Sequence, residues 1–228
     1  VTQWGCHAEY TRCLATSLMP LPDSLSYEKA AASIVGFGTS WHMAVTLGEV
    51  RADKTVLINA AGSVVGTSAI QVAKLHGARV IATAGSDAKL EKAKELGADE
   101  VINYTNQSIR EEALKMTDGF GVDLVIESVG GEVLVQSIDA VCENGRLITC
   151  GAHAGEVVPI NIIELFRKHM MLHGSHFAGR REVAHVLKLV AEGKLSPVMN
   201  AVMPFSEVQE SARKTAERDV FGKMVLVP

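Results

Sequence analysis

Between residues 55 and 174, short apolar runs alternate with amphipathic segments. Apolar runs of this length, closed by turn residues, suit strands buried on both faces; apolar positions spaced three and four apart suit helices lying on them. The runs occupy residues 55–59, 79–84, 101–103, 122–126, 146–149 and 170–173. Helical patterns fall at 67–76, 86–96, 108–116, 132–141 and 160–167. The punctuation agrees. Gly77 and Gly97 stand where helices stop, Ser86 is placed to cap one, and Ser108 with Glu111 fits a capping box. Asp118-Gly119 and Asn144-Gly145 mark turns. Six strands alternating with helices predict an α/β fold, a doubly wound six-stranded parallel sheet with right-handed crossovers. The ends break the rhythm. Residues 1–25 read as β or loop, interrupted by Pro20 and Pro22. After residue 178 the pattern predicts a helix at 181–192, a strand near 198–202, a helix at 206–217 and a strand at 223–227.

Composition mainly excludes. The 228 residues are 47% hydrophobic and 21% charged, with a net charge of −4, ordinary for a globular chain. No cluster of Lys and Arg suggests a nucleic-acid or anionic-membrane partner. Residues 30–48 and 55–73 lack charge for nearly the ~20 residues of a membrane span. Their Gly, Ser and Thr content argues instead for a buried strand, a Gly turn and a helix packed on the sheet. Cys6, Cys13, Cys142 and Cys150 form no CxxC pair, and no signal peptide is evident, so a reduced cytoplasmic protein is expected. The chain opens Val1-Thr2-Gln3-Trp4 within structured-looking sequence, which reads as a piece of a longer protein.

The chemistry centres on Ala60-Ala61-Gly62-Ser63-Val64-Val65-Gly66, between the first strand and its helix. A dinucleotide site needs small residues there, so that backbone can approach a pyrophosphate at the helix N-terminus. The strict G-x-G-x-x-G positions hold Ala61, Ser63 and Gly66. A generic βα turn would also favour small residues, but position in a six-strand alternation favours nucleotide binding. An NAD site carries Asp or Glu at the end of the second strand. Here that end reads Thr83-Ala84-Gly85-Ser86, which leaves room for a 2′-phosphate. Ser86, Lys89 and Tyr104 are the candidate contacts, while Asp87 would weaken an NADP(H) assignment if it faced inward.

The run VLINAAGSVVGTSAIQVAKLHGARVIATAGSDAKLEKAKELGADEVINY resembles the cofactor domain of medium-chain dehydrogenases/reductases, in the quinone oxidoreductase-like and zinc-binding dehydrogenase branches. PLPDSLSYEKAAA, Gly121-Val122-Asp123, Val129-Gly130-Gly131, Gly145-Arg146-Leu147 and the closing FGKMVLV extend the resemblance over residues 5–228. It implies a Rossmann sheet with remnants of a GroES-like β domain at both ends. The parts would be residues 1–33 as the tail of that domain, 34–178 as the NADP(H)-binding domain and 179–228 as a return segment. It also implies contacts. Ser63, Val64, Val65 and Gly66 would meet the pyrophosphate, and Ser86, Lys89 and Tyr104 the 2′-phosphate end. Gly130, Gly151 and Ala152 would line the nicotinamide ribose, with Phe177 and Thr39 near the nicotinamide. Relatives carry Gly where this chain has Val64, whose side chain would crowd the pyrophosphate.

No metal is expected. Cys6, His7 and Cys13 lack the paired spacing of a structural zinc site. The resemblance places Val35 where zinc-dependent relatives carry a catalytic Cys. Of the scattered histidines, His42, His153, His173 and His176, His153 lies nearest a ligand-binding strand end and reads as a neighbour of the site. The expected function is NADPH-dependent hydride transfer to a quinone, an enone or a related carbonyl compound. The alternatives are a zinc alcohol dehydrogenase and a non-catalytic NADP(H)-binding module. The expected partner is a small-molecule substrate. The apolar Met170-Met171-Leu172 run would suit a homodimer edge.

Overall fold

The computed structural model describes residues 7–228; Cys6 and the rest of 1–6 lie outside it. Six parallel strands form one sheet: β1 (Thr55–Ile58), β2 (Arg79–Ala84), β3 (Glu100–Asn103), β4 (Val122–Glu127), β5 (Val141–Thr149) and β6 (Met171–Gly174). Their order is β3-β2-β1-β4-β5-β6. The chain therefore reverses direction across the sheet between β1 and β4, and a crevice opens beyond the carboxyl ends of those strands.

Helices cover both faces. On one side α1 (Tyr27–Trp41), α2 (Val64–Leu75), α3 (Asp87–Glu95) and α7 (Arg180–Ala191) close over a core that includes Phe37, Ile58, Ile70 and Val186. On the other, α4 (Ile109–Met116), α5 (Gly131–Asp139) and α6 (Ile162–Arg167) cover Leu57, Ile81, Ile102 and Leu147. Alternate residues of one strand, such as Leu57 and Ile58, thus enter opposite cores, and both are fully buried. This two-sided burial explains the continuous apolar strand runs.

Three expectations need correction. Residues 30–48 contain no strand: α1 runs into a π-helical turn (His42–Leu47) without a break. Its lack of charge comes from packing against α2 and α7, with Ala30, Ala32, Ser33, Gly36 and Ser40 buried. A Cβ on Gly36 would lie 2.6 Å from Ser68 Oγ and 2.8 Å from Val64 Cγ1, so the two helices approach almost backbone to backbone. Second, α2 begins at Val64, three residues before the expected start. Third, Asn144-Gly145 is an excursion within β5: five residue steps from Val141 to Arg146 face two from Val122 to Leu124. Asn144 takes a positive φ of 59° there, as its turn chemistry allows.

Near the C-terminus, β7 (Met199–Pro204) and β8 (Lys223–Val227) pair in parallel as a separate two-stranded sheet, with α8 (Val208–Ala216) between them. The N–H of Gly222 donates to Gly62 O at 2.8 Å, which fastens the closing segment to the turn after β1.

Candidate functional site

The turn between β1 and α2 is held by a buried polar relay. Asn59 Nδ2 donates to Ser137 Oγ (2.8 Å), and Asn59 Oδ1 accepts from Thr83 Oγ1 (3.0 Å). Ala60 takes a positive φ of 52°, and the Ala61 N–H donates to Thr83 O at 2.8 Å. Ser63 is the N-cap of α2, its hydroxyl accepting from the Gly66 N–H at 2.9 Å. The Thr67 N–H is taken by Ser63 O. The Val64 and Val65 N–H groups have no partner among the described residues and stand at the positive end of a helix. A Cβ on Gly66 would lie 2.2 Å from Ala60 O, so only glycine fits this position. Val64 sends Cγ1 against Gly36 of α1. Ser40 Oγ donates to Val65 O at 2.9 Å, fixing the first turn of α2 from behind.

At the end of β2, Ser86 occupies the N-cap position of α3, but its hydroxyl makes no capping bond, contrary to expectation. Tyr104 lies against Gly85: a Cβ there would be 3.0 Å from the Tyr104 hydroxyl oxygen. Asp87 is engaged by Asn103, whose Nδ2 donates to its Oδ1 at 2.6 Å. That carboxylate borders a hollow of about 490 Å³ on the β3 side, which Glu91 also lines. Lys89 Nζ donates to Arg218 O at 2.7 Å. Its Cδ and the Phe221 ring both lie 3.1 Å from where a Cβ on Gly62 would be. Ser63, Lys89 and the Arg218–Gly222 segment are thus brought to one turn. Sequence reading missed Arg218 and Phe221, because no local pattern links a C-terminal loop to a turn 160 residues earlier; the nearest signal was the closing FGKM run.

The other half of the crevice lies beyond β4, β5 and β6. Glu127 is fully buried at the end of β4. Its Oε1 accepts from the N–H groups of Val129 (2.5 Å) and Gly130 (2.8 Å), and its Oε2 accepts from Thr149 Oγ1 (2.8 Å). This carboxylate, also missed in the sequence, shapes the glycine loop that follows it. Gly130 has φ 78°, and a Cβ on it would lie 2.4 Å from Gly155 O; one on Gly151 would lie 2.6 Å from Ser128 O. Between these backbones is a hollow of about 470 Å³ lined by Gly151, Ala152, Gly155, Ser175 and His176, among others. Cys150 borders it, its thiol pushed up to about 11 by burial and by the Glu127 charge. Phe177, at φ 63°, leans over α1 beside Gly38, and the adjacent Thr39 is buried. His153 is exposed and does not line the hollow; His176 does.

Behind the site, Glu182 of α7 ties that helix to the end of α1. It accepts from Thr46 Oγ1 and from the Gly179 N–H (2.6 Å), and pairs with His42 Nδ1 (3.0 Å). Burial alone would raise its carboxyl, but these hydrogen bonds outweigh burial and hold it below the usual range. Among the described residues, no group of three or more His, Cys, Asp or Glu side chains is placed to hold a metal. Val35 is half exposed on α1.

The sequence model of the family described as zinc-binding dehydrogenase matches residues 64–192. The chain is 35% identical to the quinone oxidoreductase of Salmonella typhimurium over 98% of its own length and 72% of that protein. A crystal structure of an NAD-dependent alcohol dehydrogenase superposes with a TM-score of 0.92 at 42% identity, covering 98% of this chain and 65% of that one. The Escherichia coli quinone oxidoreductase, crystallised with NADPH, superposes with a TM-score of 0.83 at 28% identity, covering 91% and 67%. The chain spans from 11% to 72% of the length of curated relatives it matches.

Proposed function

The chain belongs to the zinc-binding dehydrogenase family, within the medium-chain dehydrogenases/reductases, and from that premise we propose that it is the NADP(H)-binding part of a quinone oxidoreductase-like enzyme. In this reading hydride passes to a quinone, an enone or a related carbonyl compound. The single observation that carries the cofactor reading is the β1–α2 turn. Two N–H groups without a partner among the described residues lie at a helix N-terminus beside a turn that Lys89 overhangs, while the Asp87 carboxylate at the start of α3 is engaged by Asn103. The residues fit the cofactor elsewhere too, since Gly130 and Gly151 let the loops around the 470 Å³ hollow pack backbone to backbone and leave that hollow open.

Val64 and Val65 N–H groups would hold the pyrophosphate, with Ser63 and Gly66 shaping the turn. Ser86, Lys89 and Tyr104 would recognise the 2′-phosphate; the Lys89 ammonium keeps two further protons beyond the one given to Arg218 O. Gly130, Gly151 and Ala152 would border the nicotinamide ribose, with Thr39 and Phe177 near the ring. The bound cofactor supplies the hydride, and the residues orient it and exclude water. The division into 1–33, 34–178 and 179–228, and a cytoplasmic setting, complete the reading. No helix among the described residues is long and apolar enough to cross a membrane.

The test is a titration of the chain with NADPH and NADH, with and without Lys89→Ala. A charge-assisted contact of about 1.5–3 kcal/mol predicts a preference for NADPH of roughly tenfold or more that collapses in the mutant. The 42%-identical alcohol dehydrogenase favours a second reading, an NAD(H)-linked alcohol dehydrogenase. NADH binding as tight as NADPH, insensitive to Lys89→Ala, would support it, as would stoichiometric zinc in the full-length protein. Tight NADPH binding without turnover by the full-length protein would point to a non-catalytic binding module. A second copy of the chain is the proposed partner. β6 is an edge strand, and Ile162, Ile163 and Phe166 of α6 are exposed beside it.

A further inference from the structure

Val64 is the first residue of α2, and its N–H is one of the two there without a partner among the described residues. On the sequence alone its side chain would crowd a pyrophosphate. In the fold its Cγ1 instead occupies the gap left by the missing side chain of Gly36 on α1: a Cβ on Gly36 would lie 2.8 Å from that methyl and 3.1 Å from Val64 O. Gly36 is buried, so this is an interior contact. A β-branched side chain in a helix is held to one χ1 rotamer, which makes Val64 a stiff knob. Two hydroxyls hold the same stretch. Ser40, buried on α1 one turn along from Gly36, donates to Val65 O at 2.9 Å. Thr67, buried on α2, reaches Ser63 O at 3.0 Å and Val64 O at 3.2 Å. Each peptide unit is planar, so fixing the carbonyls of Ser63 and Val64 also fixes the directions of the Val64 and Val65 N–H groups.

We infer that the Val64 side chain is a positioning group for the pyrophosphate. Set in the Gly36 gap, it clamps the first turn of α2 to α1 and holds the two N–H groups in place before the cofactor arrives. This rests on the NADP(H) reading above. Order established in advance is not paid again on binding, so the clamp acts as affinity for the pyrophosphate. A knob carried by α1 should then serve as well as one carried by α2. Gly36→Ala in a Val64→Gly background puts a methyl group into the same gap from the other side. Its nearest neighbour, Ser68 Oγ at 2.6 Å, is the end of a side chain that can rotate away.

The experiment titrates wild type, Val64→Gly and the double variant with NADPH and with adenosine 2′-monophosphate, which has the 2′-phosphate and no pyrophosphate. Thermal unfolding of each protein is followed without ligand. The expected result is NADPH affinity about three- to tenfold weaker in Val64→Gly, unchanged affinity for the monophosphate, and NADPH affinity within about twofold of wild type in the double variant. Tighter NADPH binding by Val64→Gly overturns the inference and shows crowding. Unchanged NADPH affinity overturns it, and so does an equal loss for both probes, the mark of a general loosening. A double variant that regains its Tm but not its NADPH affinity also overturns it, because packing alone has then been restored. If Val64→Gly does not fold, Val64→Ala, which keeps Cβ and loses Cγ1, carries the same comparison with and without Gly36→Ala. A wild-type chain that binds neither probe overturns the cofactor reading and this inference together. One that binds the monophosphate, but takes up NADPH only after Val64→Gly, overturns this inference alone.

Discussion

Two residues set the backbone of the site from opposite ends of the crevice, and each makes a sharp prediction. Gly66 has no room for a methyl group, because the clash is with the Ala60 carbonyl rather than a flexible side chain. Gly66→Ala should cost about 1–3 kcal/mol, an overpacking effect that lowers Tm by several degrees in a chain of this size. It should also weaken NADPH binding, because the turn must shift; calorimetry and nucleotide titration read the two effects, and a Tm equal to wild type would refute the geometry. Glu127 acts differently, satisfying two N–H groups and one hydroxyl at once from a fully buried position. In Glu127→Gln the NH₂ group can turn to Thr149, whose hydroxyl accepts from it and still reaches Gly151 O, but the two loop N–H groups then meet a neutral amide oxygen in place of a carboxylate. The expected loss is about 1–3 kcal/mol, with faster amide exchange at Val129 and Gly130. Exchange unchanged at those amides would show that the loop holds without the carboxylate.

At the scale of elements, two carboxylates act as ties between segments. Glu182 joins α7 to the π-helical turn after α1. Asp99 joins α2 to the start of β2 through Lys74 and the Val80 N–H. Burial would raise both carboxyls, but the hydrogen bonds and the Lys74 charge at Asp99, and those of Thr46, Gly179 and His42 at Glu182, leave both lowered. A carboxyl whose folded-state value is lowered adds stability that is complete above its unfolded value. That stability drains away as pH falls through the lower folded value. Stability should therefore hold down to the ordinary carboxylate range and fall steeply below it, and Glu182→Gln should flatten that fall while lowering stability at pH 7. Urea unfolding from pH 7 to pH 3 measures this; a wild-type slope retained in the variant would assign the acid sensitivity elsewhere. The π-helical turn follows a helix whose buried residues are small apart from Phe37, and that helix lies against both α2 and α7.

For the whole molecule, the exposed β6 edge and the apolar side chains of α6 predict association of two copies. Sedimentation equilibrium should show a dimer that Phe166→Glu converts to monomer without changing the far-ultraviolet circular dichroism; a wild-type monomer at all concentrations would remove the proposal. Much of the architecture was legible along the chain. The six strands, their alternation with helices and the parallel sheet follow from apolar runs buried on two faces, since such runs have one stable solution in an αβ alternation. The glycine turn was legible because its backbone geometry is local. What was not legible has the opposite character. The charge-free 30–48 segment could be a strand or a helix until its neighbours were known, because its exposed positions carry Ala31 and Val35 rather than charged residues, which blurs the periodicity that separates the two. Ser86 looked like a cap by position, but whether a hydroxyl turns toward the helix is a matter of rotamer. Lys89 meeting Arg218 and Glu127 meeting Thr149 join residues far apart in the chain. The sequence by itself determined the sheet and the turn that opens its crevice, because local periodicity and local backbone sterics act over a few residues. Only the tertiary structure decided which polar groups line that crevice and which remain free to meet a ligand, because hydrogen-bond partners are assigned by packing across the whole fold.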